Sequence, residues 1–172
     1  MNSGPTDRLG RSAADFEALL GALAAHDVDF LVAGGVAVSL HGYVRSTQDL
    51  DVIPSPDSAS MARLADALAE VEAVAVGAKA ERLPLDLSHP ESLAVGNYFL
   101  ETKHGALDLF NGPRPDLKRY RRLEAAALEV RYGSVPIKVV SKNDLIAMKR
   151  EAGRPRDLRD IAALTEVERN PP

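Results

Sequence analysis

The apolar run Phe30-Leu-Val-Ala33 stops at the doublet Gly34-Gly35, a short apolar stretch Val36–His41 follows, and Asp49-Leu-Asp-Val-Ile53 answers as a second run. A chain in this order is pressed into strand, tight turn, helix, strand. In the second strand side chains alternate between faces, so Asp49 and Asp51 point one way while Leu50 and Val52 point into the core. Two carboxylates on one face repel unless something positive neutralises them. A divalent cation does so readily, because Mg²⁺ takes a few carboxylate oxygens and completes its shell with water and phosphate. The glycines supply the complement, letting backbone N–H groups approach a phosphate at the positive end of the helix. Either signal alone is weak, since Asp-x-Asp is commonly solvated surface and Gly-Gly commonly a turn. Their order within one strand-helix-strand unit favours a metal-nucleotide site.

The remainder of the chain suits one domain around that unit. Its 172 residues, 45% hydrophobic and 27% charged, suffice for a core without disulfides or structural metal. Cysteine is absent, which excludes disulfide frameworks, thiolate zinc sites and cysteine nucleophiles, and fits a cytoplasmic location. A formal charge of -4 argues against a protein that coats nucleic acid nonspecifically but leaves room for a local basic groove. The basic run Lys118–Arg122 reads as a solvated helix face. No run of about 18 apolar residues occurs, so no membrane span is expected. Residues 1–11 read as a flexible leader without a signal pattern.

Ser12, with Asp15 three residues on, opens a first helix carrying Phe16, Leu19, Leu20 and Leu23 and ending near His26. Strands are expected at Val28–Ala33 and Thr47–Ile53, with a helix Val36–His41 between them. Pro54-Ser-Pro-Asp57 breaks the second strand and caps a helix bearing Met61, Leu64, Ala65, Leu68 and Val71. Ala73–Pro90 shows no sustained period and reads as a short strand plus loop. Asn97–Thr102 and Ala106–Phe110 form a hairpin around Lys103-His-Gly105, and Leu128–Arg131 with Ile137–Val140 a second around Tyr132-Gly-Ser134. Pro115–Ala127 is helical. Ser141 caps a helix with Leu145, Ile146 and Met148 inward, Gly153 ends it, and Pro155 opens a last helix carrying Leu158, Ile161, Ala162 and Leu164.

Two-metal phosphoryl transfer needs further ligands and, often, a base for the attacking hydroxyl. Asp86 and Asp108 both stand in Leu-Asp-Leu. Asp108 lies in a hairpin strand between two buried leucines and reaches the Asp49/Asp51 face if that strand pairs alongside. Asp86 lies among prolines and reads as a surface loop residue. Arg45 has two roles open to it, binding the triphosphate or pairing with Asp49. His41 and His104 read as local hydrogen-bonding residues, and Ser39 as helix packing.

Val32–Val52 together with Gly105-Ala-Leu-Asp-Leu-Phe110 resembles the nucleotidyltransferase superfamily that includes DNA polymerase beta, most of all its small bacterial AbiEii-type toxin-like branch. That resemblance implies an α/β (α+β) fold: a mixed β-sheet flanked by helices with a helical C-terminal portion, in a single domain over residues 12–168. It implies that Gly34 and Gly35 open the site, that Asp49 and Asp51 bind two Mg²⁺ ions (or Mn²⁺), and that Asp108 completes the triad. The tail Ser141–Asp160 is similar to the C-terminal helices of the same branch. There the resemblance gives Lys149, Arg154, Arg156 and Asp157 positions facing the nucleotide.

The activity so implied is transfer of a nucleoside monophosphate from an NTP to a hydroxyl on RNA such as tRNA, on a protein or on a small molecule. A toxin–antitoxin context and an antitoxin protein partner go with it. The alternative is a non-catalytic module that keeps the fold and binds a nucleotide or a partner.

Overall fold

The computed structural model describes residues 14–169. Helix α1 (Phe16–Ala25) begins on Asp15, whose Oδ1 accepts the Ala18 N–H at 2.9 Å. Ser12, expected to open this helix, and the leader over residues 1–11 lie outside the described residues. Strand β1 (Phe30–Val32), helix α2 (Gly34–Leu40) and strand β2 (Asp49–Pro54) form the expected unit. The helix starts at the first glycine rather than at Val36. Pro54 does not break β2 but is its last residue, opposite Phe30, which is where the strand ends.

Helix α3 (Ser58–Glu70) is capped by Asp57, whose Oδ1 takes the Ser60 N–H at 3.0 Å. The weakly patterned segment after it forms two short strands, β3 (Val74–Val76) and β4 (Arg82–Leu83), then runs to a 3-10 turn at Pro90–Ala94. Next come the hairpin β5 (Asn97–Thr102) and β6 (Gly105–Phe110), helix α4 (Leu117–Ala125), and the hairpin β7 (Leu128–Tyr132) and β8 (Val135–Val139). Helices α5 (Lys142–Ala152) and α6 (Pro155–Arg169) follow. Gly153 closes α5 in the left-handed region at φ +63, donating its N–H to the Lys149 carbonyl.

The eight strands make one mixed sheet in the order β4-β3-β5-β6-β2-β1-β8-β7. β2 runs parallel to β6 and β1 parallel to β8. Leu50, Val52, Leu100, Leu107 and Leu109 are fully buried on one face, in a core shared with Leu19, Leu20 and Leu23 of α1 and Met61, Leu64 and Leu68 of α3. Each such side chain contributes about 2 kcal/mol by leaving water. Alternation sends the residues between these leucines to the opposite face, beside α5 and α6.

Helix α6 corrects one expectation. Leu158 and Ala162 are exposed, whereas Asp157, Asp160 and Leu164 are buried. The residues three and four apart at 157, 160 and 164 share a stripe, whose first two members meet cations while Leu164 joins the main core. No helix among the described residues is long and apolar enough to cross a membrane.

Candidate active site

β2 and β6 lie side by side in parallel register, with Asp51 directly opposite Asp108 and Asp49 opposite Ala106. Directly opposed residues share a face, so the three carboxylates meet: one oxygen from each lies within 4.8 Å of the others. Asp49 is oriented by Thr47, whose hydroxyl donates to Oδ1 at 2.8 Å. Asp51 is oriented from the helix side by the Gly35 N–H, which donates to Oδ2 at 3.2 Å.

The glycine doublet is needed here on steric grounds. Gly34 has φ +56, and a Cβ on it would collide with the Asp51 carboxylate. A Cβ on Gly35 would come within 2.7 Å of the Thr47 Cβ. Backbone and carboxylate can approach this closely only without side chains at both positions. The Gly35 N–H, which the sequence alone assigns to a phosphate, is therefore already engaged in fixing Asp51.

Burial, then the charges of Asp51 and Asp49, push the Asp108 carboxyl up to about 7. Burial and then Asp49 push Asp51 up to about 6, against the Gly35 hydrogen bond and the charges of Lys149 and Arg156. The cluster thus holds more negative charge than it can keep ionised alone. Its donors are all carboxylate oxygens, with no imidazole or thiolate, the set that suits Mg²⁺ or Mn²⁺. These three residues could hold such an ion.

Opposite the carboxylates, α5 and α6 carry a chain of alternating charges. Arg45 grips Asp160 with two parallel bonds, Nε to Oδ1 at 2.8 Å and Nη2 to Oδ2 at 3.0 Å. Lys149 Nζ sits between Asp160 at 2.7 Å and Asp157 at 3.2 Å, and Arg154 Nε reaches Asp157 at 2.6 Å. Lys149, Asp157 and Asp160 are almost fully buried, with side-chain exposures of 7%, 2% and 2%. Burial works to raise both aspartates, but the hydrogen bonds from Arg154 and Lys149 to Asp157, and from Arg45 and Lys149 to Asp160, outweigh it and hold both low.

The ten residues assigned to the site from the sequence border one cleft of about 440 Å³: Gly34, Gly35, Arg45, Asp49, Asp51, Asp108, Lys149, Arg154, Arg156 and Asp157. Arg45 does not pair with Asp49, the partner the sequence offered; its guanidinium goes to Asp160. Lys149 is the buried centre of an ion network. Arg156 is exposed and has no side-chain partner among the described residues. The sequence gives no role to Asp160, although its spacing of three from Asp157 places both on one helix stripe.

The remaining candidates fall outside the cleft. Asp86 is exposed and bonded to Ser88. His41 bonds the Val140 carbonyl. Ser39 does more than pack: its hydroxyl bonds the Gly35 and Arg45 carbonyls and so ties the loop before β2 to α2.

This sheet, with three carboxylates on neighbouring strands beside a Gly-Gly helix start, is the fold of nucleotidyltransferases. Similar solved structures include the lincosamide antibiotic adenylyltransferase LnuA in its lincomycin-bound form, at TM-score 0.58 and 16% identity, covering 88% of this chain and 95% of that one. The antibiotic-resistance factor ANT(2'')-Ia in complex with adenylyl-2''-tobramycin superposes with TM-score 0.55 at 13% identity, covering 87% and 84%. An antigenic nucleotidyltransferase-like protein from Paracoccidioides brasiliensis gives TM-score 0.54 at 17% identity, covering 87% and 73%. At these identities the likeness is one of fold. No curated protein sequence matches the chain. The sequence pattern of the nucleotidyl transferase AbiEii toxin family, of Type IV toxin–antitoxin systems, matches residues 17–172, and the chain belongs to that family.

Proposed function

We propose that this chain transfers a nucleoside monophosphate from an NTP to a hydroxyl acceptor with the help of Mg²⁺ or Mn²⁺, and that residues 12–168 form the single domain that does so. The observation carrying this reading is the meeting of Asp49, Asp51 and Asp108 within 4.8 Å beside the Gly34-Gly35 turn. Asp49, Asp51 and Asp108 hold the metal, which when bound neutralises charge on the phosphates and on the attacking oxygen. The triphosphate lies over β2 toward α2, its β- and γ-phosphates beside Gly34 and Gly35. Arg156 and the outer edge of Arg154 meet its negative charge. Lys149 and Asp157 act by fixing the helix ends that carry these arginines.

Asp108 accepts the proton of the acceptor hydroxyl. The freed oxygen forms a bond to the α-phosphorus as the bond from that phosphorus to the bridging oxygen breaks, and pyrophosphate leaves with the electron pair. The acceptor belongs to RNA such as tRNA, to a protein or to a small molecule. The family supports an antitoxin protein as partner, and a cytoplasmic setting supplies the NTP. Incubating the protein with Mg²⁺, NTPs labelled at the α-phosphate and total cell extract tests this reading. Label should enter one pool with wild type and none with Asp51→Asn; equal labelling by both proteins would remove the triad from the chemistry.

A further inference from the structure

The strand order fixes the side from which an acceptor must approach. From β1 outward the site face runs β1, β2, β6, β5. The glycine turn that we assign to the triphosphate stands at the β1 and β2 side, and Asp51 faces Asp108 across β2 and β6. In-line displacement puts the attacking hydroxyl on the side of the α-phosphorus away from the leaving pyrophosphate. That side is β5.

The residue next in this row is Phe99. It is directly opposite Asp108 in the antiparallel β5/β6 ladder, so both side chains stand on the same face. A row of Asp51, Asp108 and Phe99 therefore crosses three adjacent strands, the ring about two strand spacings, roughly 10 Å, from Asp51. Phe99 is 51% exposed among the described residues, yet it borders the cleft. Its ring is braced edge-on by Phe110, with centroids 6.3 Å apart and planes at 86°. Phe110 stands opposite Asn97, which is also exposed and shares this face. Met148 and Arg119 line the same cleft. An exposed phenylalanine alone would need no explanation. One fixed by a second ring, beside the proposed base and inside the cleft, is a platform.

We propose that Phe99 is the specificity-determining residue of the acceptor subsite, stacking on a planar ring carried next to the reacting hydroxyl; this rests on the nucleotidyl-transfer reading above. Phe110 holds the platform in place, and Arg119 meets an anionic group on the same acceptor. A polycation that lacks a planar ring offers this platform nothing to stack on and is disfavoured.

The chain has no tryptophan, so Phe99→Trp places a single fluorophore on the platform. The protein is first saturated with Mg²⁺ and an NTP analogue that cannot transfer, so that the triphosphate side is filled. Cytidine 5'-monophosphate, which combines a planar ring, hydroxyls and an anionic group, and tobramycin, a polycation whose rings are all saturated and non-planar, are then titrated separately. Quenching by the monophosphate but not by tobramycin is expected. Replacing Phe99 by Ala should weaken monophosphate binding, read by equilibrium dialysis under the same saturation, about ten-fold, with Phe99→Tyr restoring it and the affinity for the NTP analogue unchanged. No quenching by the monophosphate, or equal binding to the Phe99→Ala protein, while the NTP analogue still binds, would overturn the acceptor platform and leave nucleotidyl transfer standing. Failure of the analogue itself to bind in the presence of Mg²⁺ would remove both.

Discussion

Asp108 sits at the point where several constraints meet. Its strand partner is Asp51, its strand neighbours are buried leucines, and burial with two adjacent carboxylates pushes it up to about 7. A carboxyl whose folded-state value is raised binds its proton more readily in the native than in the unfolded chain. Its stabilising effect is complete below the unfolded value of 3.8 and is lost as pH rises through about 6 for Asp51 and about 7 for Asp108. Metal-free protein should therefore lose stability between about pH 4 and pH 7, and Asp108→Asn should flatten that loss by roughly 1–2 kcal/mol, partial exposure screening the remainder. Urea midpoints across this range check it; parallel profiles for the two proteins would mean that Asp108 is not held in the protonated form.

Gly34 is the second residue on which the site turns. With φ +56 and the Asp51 carboxylate in the place of a Cβ, Gly34→Ala should cost about 1–3 kcal/mol through backbone strain and displacement. Transfer should fall further than stability does, since the displaced group is Asp51. A variant with normal melting and normal transfer would show that the close approach has no function.

At the scale of elements, the sequence revealed the sheet unit well and the last helix poorly, for one physical reason. Alternating leucines around Asp49, Asp51 and Asp108 report directly which side of a strand is buried, because apolar burial is what sets the register. The first turns of helix α6 bury aspartates instead, and Leu164 further on joins the core as its type suggests. Leu158, which looks like core by type, points outward, while Asp157 and Asp160 point inward to cations supplied by α5 and by the loop before β2. Such a partnership between residues more than a hundred positions apart, as between Arg45 and Asp160, leaves no periodic trace. Ala73–Pro90 was opaque for a related reason: β3 and β4 are two or three residues long, too short to show a period.

This network gives a prediction about α6. Asp160→Asn leaves Arg45 and Lys149 buried with part of their charge unmatched, which costs about 3 kcal/mol and lowers Tm by roughly 6–12 °C. Arg122→Ala, which removes the more exposed pair with Asp144, should cost under about 1 kcal/mol. Thermal melts of the two variants side by side test this contrast. Equal shifts would mean that the α5–α6 network is no more than surface pairing. Lys149→Ala is expected to destabilise as well, since it strands two buried carboxylates, so a loss of NTP binding in that variant has to be judged on folded protein.

For the whole molecule, the cleft joins a sheet face of concentrated negative charge to a helical side on which Arg154 and Arg156 stand exposed, and a metal–triphosphate complex complements both. Such a ligand binds the folded chain alone. At one hundred times its Kd it should add about 2.7 kcal/mol to stability. The gain from Mg²⁺ should be larger at about pH 8 than at about pH 5, because ligation requires deprotonated carboxylates. Melting with Mg²⁺ and each NTP at both pH values checks the direction, and an unchanged Tm with every NTP would favour a non-catalytic module. The most direct test of nucleotidyl transfer follows the two ends of the nucleotide separately. With Mg²⁺ and cell extract, label at the α-phosphate should pass to an acceptor while label at the γ-phosphate appears in pyrophosphate, and Asp108→Asn should abolish both. Label passing to the acceptor from the γ-phosphate, or transfer that survives Asp108→Asn, would contradict the account.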